Sequence, residues 1–198
     1  MTESVFKDLN PPYDIIVADP PWFYNNRRQD GTRFGRGAWG HYNLMTQKDI
    51  KALPIHEITN SDALLFLWAT FPKLEQALDV IKAWGFCYKT VGFFWVKTVR
   101  NSLYSVGLQA TFPHAGVLPK FGTGYYTKSN PEVCLLAAKG KAMKPVTDFV
   151  SNLIVSPIGK HSEKPSEMQY RIDAMYPNLR KVELFARRQY KSWDTWGK

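Results

Sequence analysis

The chain has 198 residues, 44% hydrophobic and 22% charged, and its 26 basic against 17 acidic residues give a formal charge of +9. That length suits one domain over residues 1–198; no apolar run approaches the ~20 residues that cross a bilayer, and without a secretory stretch at the N-terminus a cytoplasmic address is expected. Cys87, Cys134 and four scattered histidines lack metal-ligand spacing, so no metal is expected, and both thiols are expected reduced, in or near the core.

In chain order, Tyr13–Ala18 reads as a buried strand closed by Asp19-Pro20-Pro21. Thr46 reads as the N-cap of a short helix with Asp49 in its first turn. Ala63–Trp68 is a second strand. Pro72–Trp84 has helical periodicity, with Leu74, Leu78 and Ile81 on one face and Gly85 as its stop. Val91–Val96 is a third strand. The stretch from about Lys97 to Asn130, rich in glycine, aromatic and hydroxyl residues, is long for an idle loop and reads as functional. Glu132–Ala138 is a fourth strand and Asn152–Val155 a short fifth. Pro165 opens a helix running to about Tyr176, with Met168, Ile172 and Met175 on one face and Pro177 beyond it. Val182–Ala186 is the last strand. Strands alternating with helices predict an α/β fold with a mostly parallel sheet. In such sheets ligands bind at the carboxyl ends of strands, where Asp19 and Arg187 fall.

The basic charge favours a polyanionic partner, a nucleic acid. Arg27, Arg28, Arg33 and Arg36 crowd one glycine-rich stretch, with Trp22, Phe23, Tyr24, Phe34, Trp39 and Tyr42 among or beside them. A second basic cluster, Arg180 to Lys198, is interleaved with Tyr190, Trp193 and Trp196. Cations hold phosphates and flat rings stack bases.

Asp19-Pro20-Pro21-Trp22 is the sharpest motif. A proline pair also ends strands in a plain turn, but this set suits methylation of an adenine amine. That amine is a poor nucleophile, because its lone pair is delocalised into the ring. A site must accept hydrogen bonds from both N–H groups and turn the lone pair towards an electrophilic methyl. Asp19 offers a carboxylate and Pro20 a rigidly placed carbonyl. Trp22 offers a face for the purine.

On these residues the chain resembles the MT-A family of adenine amino-methyltransferases, which includes eukaryotic mRNA adenosine methyltransferases and many bacterial and phage DNA enzymes. The likeness continues through Tyr42-Asn43-Leu44-Met45-Thr46, Leu65-Phe66-Leu67-Trp68, Trp84-Gly85-Phe86 and Trp95-Val96-Lys97. It closes with His161–Glu167, Val182–Arg187 and Trp193-Asp194-Thr195-Trp196-Gly197. The resemblance implies a Rossmann-like fold with circularly permuted motif order and S-adenosylmethionine (SAM) as cofactor. It implies Asp19, Pro20, Pro21 and Trp22 as the catalytic motif and Tyr42 as a holder of the target adenine. It gives Lys164 the SAM carboxylate and places Glu183 and Arg187 near the ribose; Gln189, at a departure from the family pattern, is expected as a further cofactor contact. The chain departs from the pattern at Arg188-Gln189-Tyr190, where the eukaryotic enzyme has His-Asn at the last two positions, and at Lys198, where an asparagine is common. The expectation is an adenine-N6 methyltransferase acting on nucleic acid, DNA before RNA. An RNA enzyme and a non-catalytic nucleic-acid-binding member are the alternatives.

Overall fold

A computed structural model describes residues 5–23, 44–99, 120–122, 126–141, 143–159 and 163–197. Within them runs one sheet of seven strands: β1 (Tyr13–Ala18), β2 (Thr59–Ala69), β3 (Cys87–Thr98), β4 (Glu132–Lys139), β5 (Leu153–Pro157), β6 (Lys181–Leu184) and β7 (Asp194–Trp196). Their spatial order is β5-β3-β4-β2-β1-β6-β7. Every neighbouring pair is parallel except those that involve β4, which runs against β2 and β3. The sheet is therefore mostly parallel, as expected. The reversal of β4 brings its first residue, Glu132, to the edge where the other strands end.

Period-two alternation splits the core in two. Ile16, Ala18, Leu65, Leu67, Val133, Leu135, Val182 and Leu184 face one side. There they meet helices α1 (Gln47–Lys51) and α2 (Leu74–Ala83) through Ile50, Ala77, Val80 and Ile81. Ile15, Val17, Leu64, Phe66, Trp68, Phe93, Trp95 and Cys134 face the other, covered by Met168 and Ile172 of helix α3 (Glu167–Met175). Ile15 and Val17 of β1, beyond the register shift that follows Tyr13, thus face α3, and Asp19 continues that series.

Local chemistry sets the helix ends. Thr46 and Asp49 form a capping box, with the Asp49 amide on the Thr46 hydroxyl at 3.2 Å and the Thr46 amide on the Asp49 carboxylate at 3.3 Å. Helix α2 ends in a Schellman arrangement: Gly85 N–H donates to Lys82 and Phe86 N–H to Ile81, both at 3.0 Å. Gly85 takes φ +81 there, a conformation glycine adopts without cost.

Several boundaries differ from the sequence reading. The first turn expected of α2 at Pro72 is a 3-10 turn, Phe71–Lys73. Strand β6 stops at Leu184, because Phe185 has φ 61 and leaves the extended region. Strand β7 is too short for a pattern and was not expected as a strand. Cys87 is exposed rather than near the core, whereas Cys134 is buried. Of the long stretch after β3, residues 100–119 and 123–125 lie outside the described residues. Its described ends are joined by Asn130, whose amide donates to the Lys97 and Lys120 carbonyls at 2.8 Å each. No helix among the described residues is long and apolar enough to cross a membrane.

Phe66 is buried and stacks on Phe93 at 5.8 Å between ring centroids. Phe66→Ala is expected to cost about 3–5 kcal/mol in urea unfolding, the usual range for an aromatic deleted from a core. Tyr170→Ala, on the exposed face of α3, should stay within about 0.5 kcal/mol of the parent.

Candidate active site

A buried cation organises the carboxyl edge of the sheet. Lys164 Nζ lies 2.8 Å from both Oδ1 and Oδ2 of Asp19 and 3.3 Å from Oε2 of Glu132. Lys97 Nζ holds the other Glu132 oxygen at 2.5 Å, and Arg187 Nη2 reaches Asp19 Oδ2 at 3.5 Å. Side-chain exposure is 9% for Lys164 and 14% for Asp19. Burial pulls the Lys164 amine down, but Asp19 and Glu132 pull it up further, so it lies above the usual lysine value and stays cationic. Burial pushes the Glu132 carboxyl up, but Lys164 and Lys97 outweigh that and hold it below the usual carboxylate range. The ammonium also sits 5.6 Å from the centre of the Trp68 ring, within cation–π range.

Each of these groups has a structural reason to be there. Asp19 follows the buried end of β1. Glu132 opens β4, and Lys97 is near the end of β3. Lys164 precedes α3 in a segment held by Arg188, whose guanidinium binds the Glu163 carboxylate at 2.7 Å and the Lys164 carbonyl at 3.1 Å.

The turn after Asp19 is rigid. Trp22 N–H donates to the Pro20 carbonyl at 2.8 Å, and Met45 N–H to the Pro21 carbonyl at 3.0 Å. The Pro20 oxygen keeps a second lone pair. Trp22 itself is 6% exposed and packs in the core on the α1–α2 side, with its indole N–H on the Trp68 carbonyl at 3.3 Å. In this arrangement the indole anchors the proline turn instead of offering an open face, and the adjacent exposed ring is Phe23.

Among the other expected site residues, Glu183 lies on β6, two strand positions before Phe185. Burial pushes its carboxyl up to about 7, with the Gln169 amide opposing and the nearby Asp19 charge adding to the rise. Gln189 does not join the cluster. Its amide binds the Trp193 carbonyl at 2.6 Å and accepts from the Thr195 hydroxyl at 2.6 Å, which ties up its own loop. Tyr42, Arg27, Arg28, Arg33 and Arg36 lie outside the described residues. No cluster of three or more metal-ligating side chains occurs among the described residues.

Sequence reasoning missed Glu132 and Gln169, placed Arg188 only in the C-terminal basic cluster and at a departure from the family pattern, and gave Lys97 no role of its own. Glu132 was visible as a charge opening an otherwise apolar strand. Only the antiparallel direction of β4 brings it to Asp19.

Comparison with known proteins adds three findings. A family model described as MT-A70 matches residues 13–198. The chain is 33% identical over 210 residues to the Type II methyltransferase M.MunI of a Mycoplasma species, covering 98% of this chain and 81% of that protein. It is 27% identical over 176 residues to the human N(6)-adenosine-methyltransferase catalytic subunit METTL3, and 28% over 181 residues to an N(6)-adenosine-methyltransferase MT-A70-like protein of Arabidopsis thaliana. Those matches cover 88% and 91% of this chain but 26% and 22% of the relatives. The chain spans about a quarter of the length of these two plant and animal proteins.

The raised Glu183 carboxyl carries a sign that can be checked. Between its unfolded value near 4.5 and its folded value of about 7, the native state binds more protons than the unfolded one. Stability is therefore fully present below the unfolded value and falls as pH rises to about 7. Glu183→Gln, which cannot ionise, should be more stable than the parent by about 1–3 kcal/mol at about pH 8, with the difference gone near pH 4.5. Urea titrations at the two pH values measure it.

Proposed function

The chain belongs to the MT-A70 family and is a methyltransferase, and we propose that it carries a methyl group from SAM to the N6 amine of adenine in a nucleic acid, with DNA the preferred acceptor. The observation that carries this reading is a carboxylate fixed at the end of β1, in a proline turn, beside a buried lysine. DNA is preferred because the chain matches most of the length of the Type II methyltransferase M.MunI and only about a quarter of the adenosine enzymes.

The donor set fits SAM. Lys164 is a permanent buried cation suited to the carboxylate of an amino acid. Glu183 has one oxygen on the Gln169 amide and none of the described residues bonded to the other, which suits ribose hydroxyls. When bound, SAM supplies a sulfonium methyl that transfers without a metal or a covalent enzyme intermediate.

The remaining work falls to the chain's own residues. Asp19 accepts an N–H of the target amine, and the free lone pair of the Pro20 carbonyl is the candidate for the other. Together they orient the amine lone pair and stabilise the positive charge that grows on nitrogen. Oδ1 of Asp19 accepts from Lys164 and keeps a second lone pair for the amine. Glu132, anchored by Lys97, keeps Lys164 paired when an amino-acid carboxylate also binds it. The aromatic and basic segment at Tyr42 and Arg27, Arg28, Arg33 and Arg36 supplies the contacts to a flipped base and its phosphates.

Asp19→Asn keeps the shape of the turn and loses the charge. Tritiated methyl transfer should fall about a hundred- to a thousand-fold, with SAM affinity near the parent value. Nucleoside mass spectrometry of the parent reaction should give 6-methyladenine, and matched DNA and RNA oligonucleotides identify the acceptor. A methylated cytosine, or an Asp19→Asn variant at the parent rate, would overturn the mechanism. Replacing Arg27, Arg28, Arg33 and Arg36 by alanine should flatten the salt dependence of oligonucleotide binding, by about 0.7–0.9 in log–log slope for every phosphate no longer neutralised. An unchanged slope would move the footprint elsewhere.

A further inference from the structure

On the reading of Glu183 as the ribose-holding group, we propose that Gln169 is its positioning residue: the Gln169 amide fixes one carboxylate oxygen and so presents the other, ionised, to a ribose hydroxyl. Gln169 lies on α3 between the core residues Met168 and Ile172 and is 2% exposed. Its Nε2 donates to Glu183 Oε2 at 3.2 Å. Its Oε1 is buried with no hydrogen-bond partner among the described residues. A buried unpaired carbonyl is costly. Leucine or methionine would fill the same space without that cost. What glutamine adds is an N–H aimed at Glu183.

That donor matters because the carboxylate is finely balanced. Burial pushes it up to about 7, and the Gln169 hydrogen bond is the largest effect pulling it down. Donation by an amide favours the ionised form. Among the described residues, the other groups that face Glu183 are Asp19 from the end of β1, Lys164 from the segment before α3, and Arg188 and Tyr190 from beyond β6. Tyr190 is pushed up to about 12 by burial and Lys164 lies above the usual lysine value, so neither titrates near neutrality. An ionised carboxylate accepts a hydroxyl proton better than a neutral one. Affinity for a ribose should therefore rise with pH through the Glu183 midpoint.

The test is calorimetry on the full chain with 5′-methylthioadenosine, which carries adenine and ribose but no amino acid, from about pH 5.5 to 8.5. S-adenosylhomocysteine is titrated in parallel at about pH 8. Parent affinity should rise about tenfold across the range, and Glu183→Gln should abolish the rise. Gln169→Leu and Gln169→Met should move the midpoint up by about one pH unit, with affinity reduced about threefold near pH 7 and largely restored at the alkaline end. Gln169→Glu keeps the shape but adds a second carboxylate, so its midpoint should move further still. A loss equal at every pH, or a midpoint unmoved in all three variants, marks Gln169 as packing and overturns the proposal. Neither nucleoside binding the parent would instead overturn the cofactor reading of the whole site. The two failures are thus distinct.

Discussion

The structure depends on where one buried ammonium finds its countercharge. Lys164 is nearly enclosed, and a lysine in that position is tolerated only when paired and hydrogen-bonded. It has Asp19 at 2.8 Å and Glu132 at 3.3 Å. Three distant parts of the chain must meet to supply this: the end of β1, the start of β4 and the approach to α3. The parallel pairing of β1 with β2 and the reversed pairing of β2 with β4 bring the two carboxylates to one edge. Arg188 then fixes the backbone of the lysine itself. Removing one member of such a cluster leaves a buried charge unpaired, so its parts are not independent.

Much of this was legible in the sequence because it is local. The Asp19 turn, the Thr46 cap and the Gly85 stop follow from backbone preferences within a few residues. The buried runs of β1, β2 and β4 follow from apolar patterning. The α3 face of Met168, Ile172 and Met175 follows from helical spacing. What was not legible depends on long-range geometry. The direction of β4 is not encoded in its apolar run, so Glu132 had no visible partner. Trp22 was expected to offer an open face, but the turn rotates it into the α1–α2 core, where Trp68 accepts its indole N–H. Gln189 was expected at the cofactor, but the loop that carries it consumes its amide on Trp193 and Thr195. Strand β7 needs β6 beside it before three residues can count as a strand.

The backbone after β6 shows how the same edge is shaped at its other end. Phe185 adopts φ 61, a conformation that is strained for a bulky residue. Gly197 permits it: a Cβ there would stand 3.0 Å from the Phe185 Cα, and Ala186 N–H closes the turn on the Trp196 carbonyl at 2.9 Å. Phe185 packs edge-on against Trp196 at 5.4 Å. The bend takes the chain out of the sheet directly before Arg187 and Arg188. One arginine then reaches Asp19 and the other grips Glu163. The strained residue thus marks the point where the strand gives way to the turn that carries both arginines.

The charge count explains why the cluster suits a reaction that builds positive charge on a neutral amine. In the described arrangement Asp19 and Glu132 face Lys164, Lys97 and Arg187, so Asp19 is already neutralised. A neutral amine placed beside it would meet a carboxylate whose field is largely spent on the lysine. On the proposed reading, a cofactor carboxylate that shares Lys164 would draw part of the ammonium's field off Asp19. Glu132 would keep Lys164 paired during such a shift, and Lys97 keeps Glu132 itself from standing as an uncompensated buried anion.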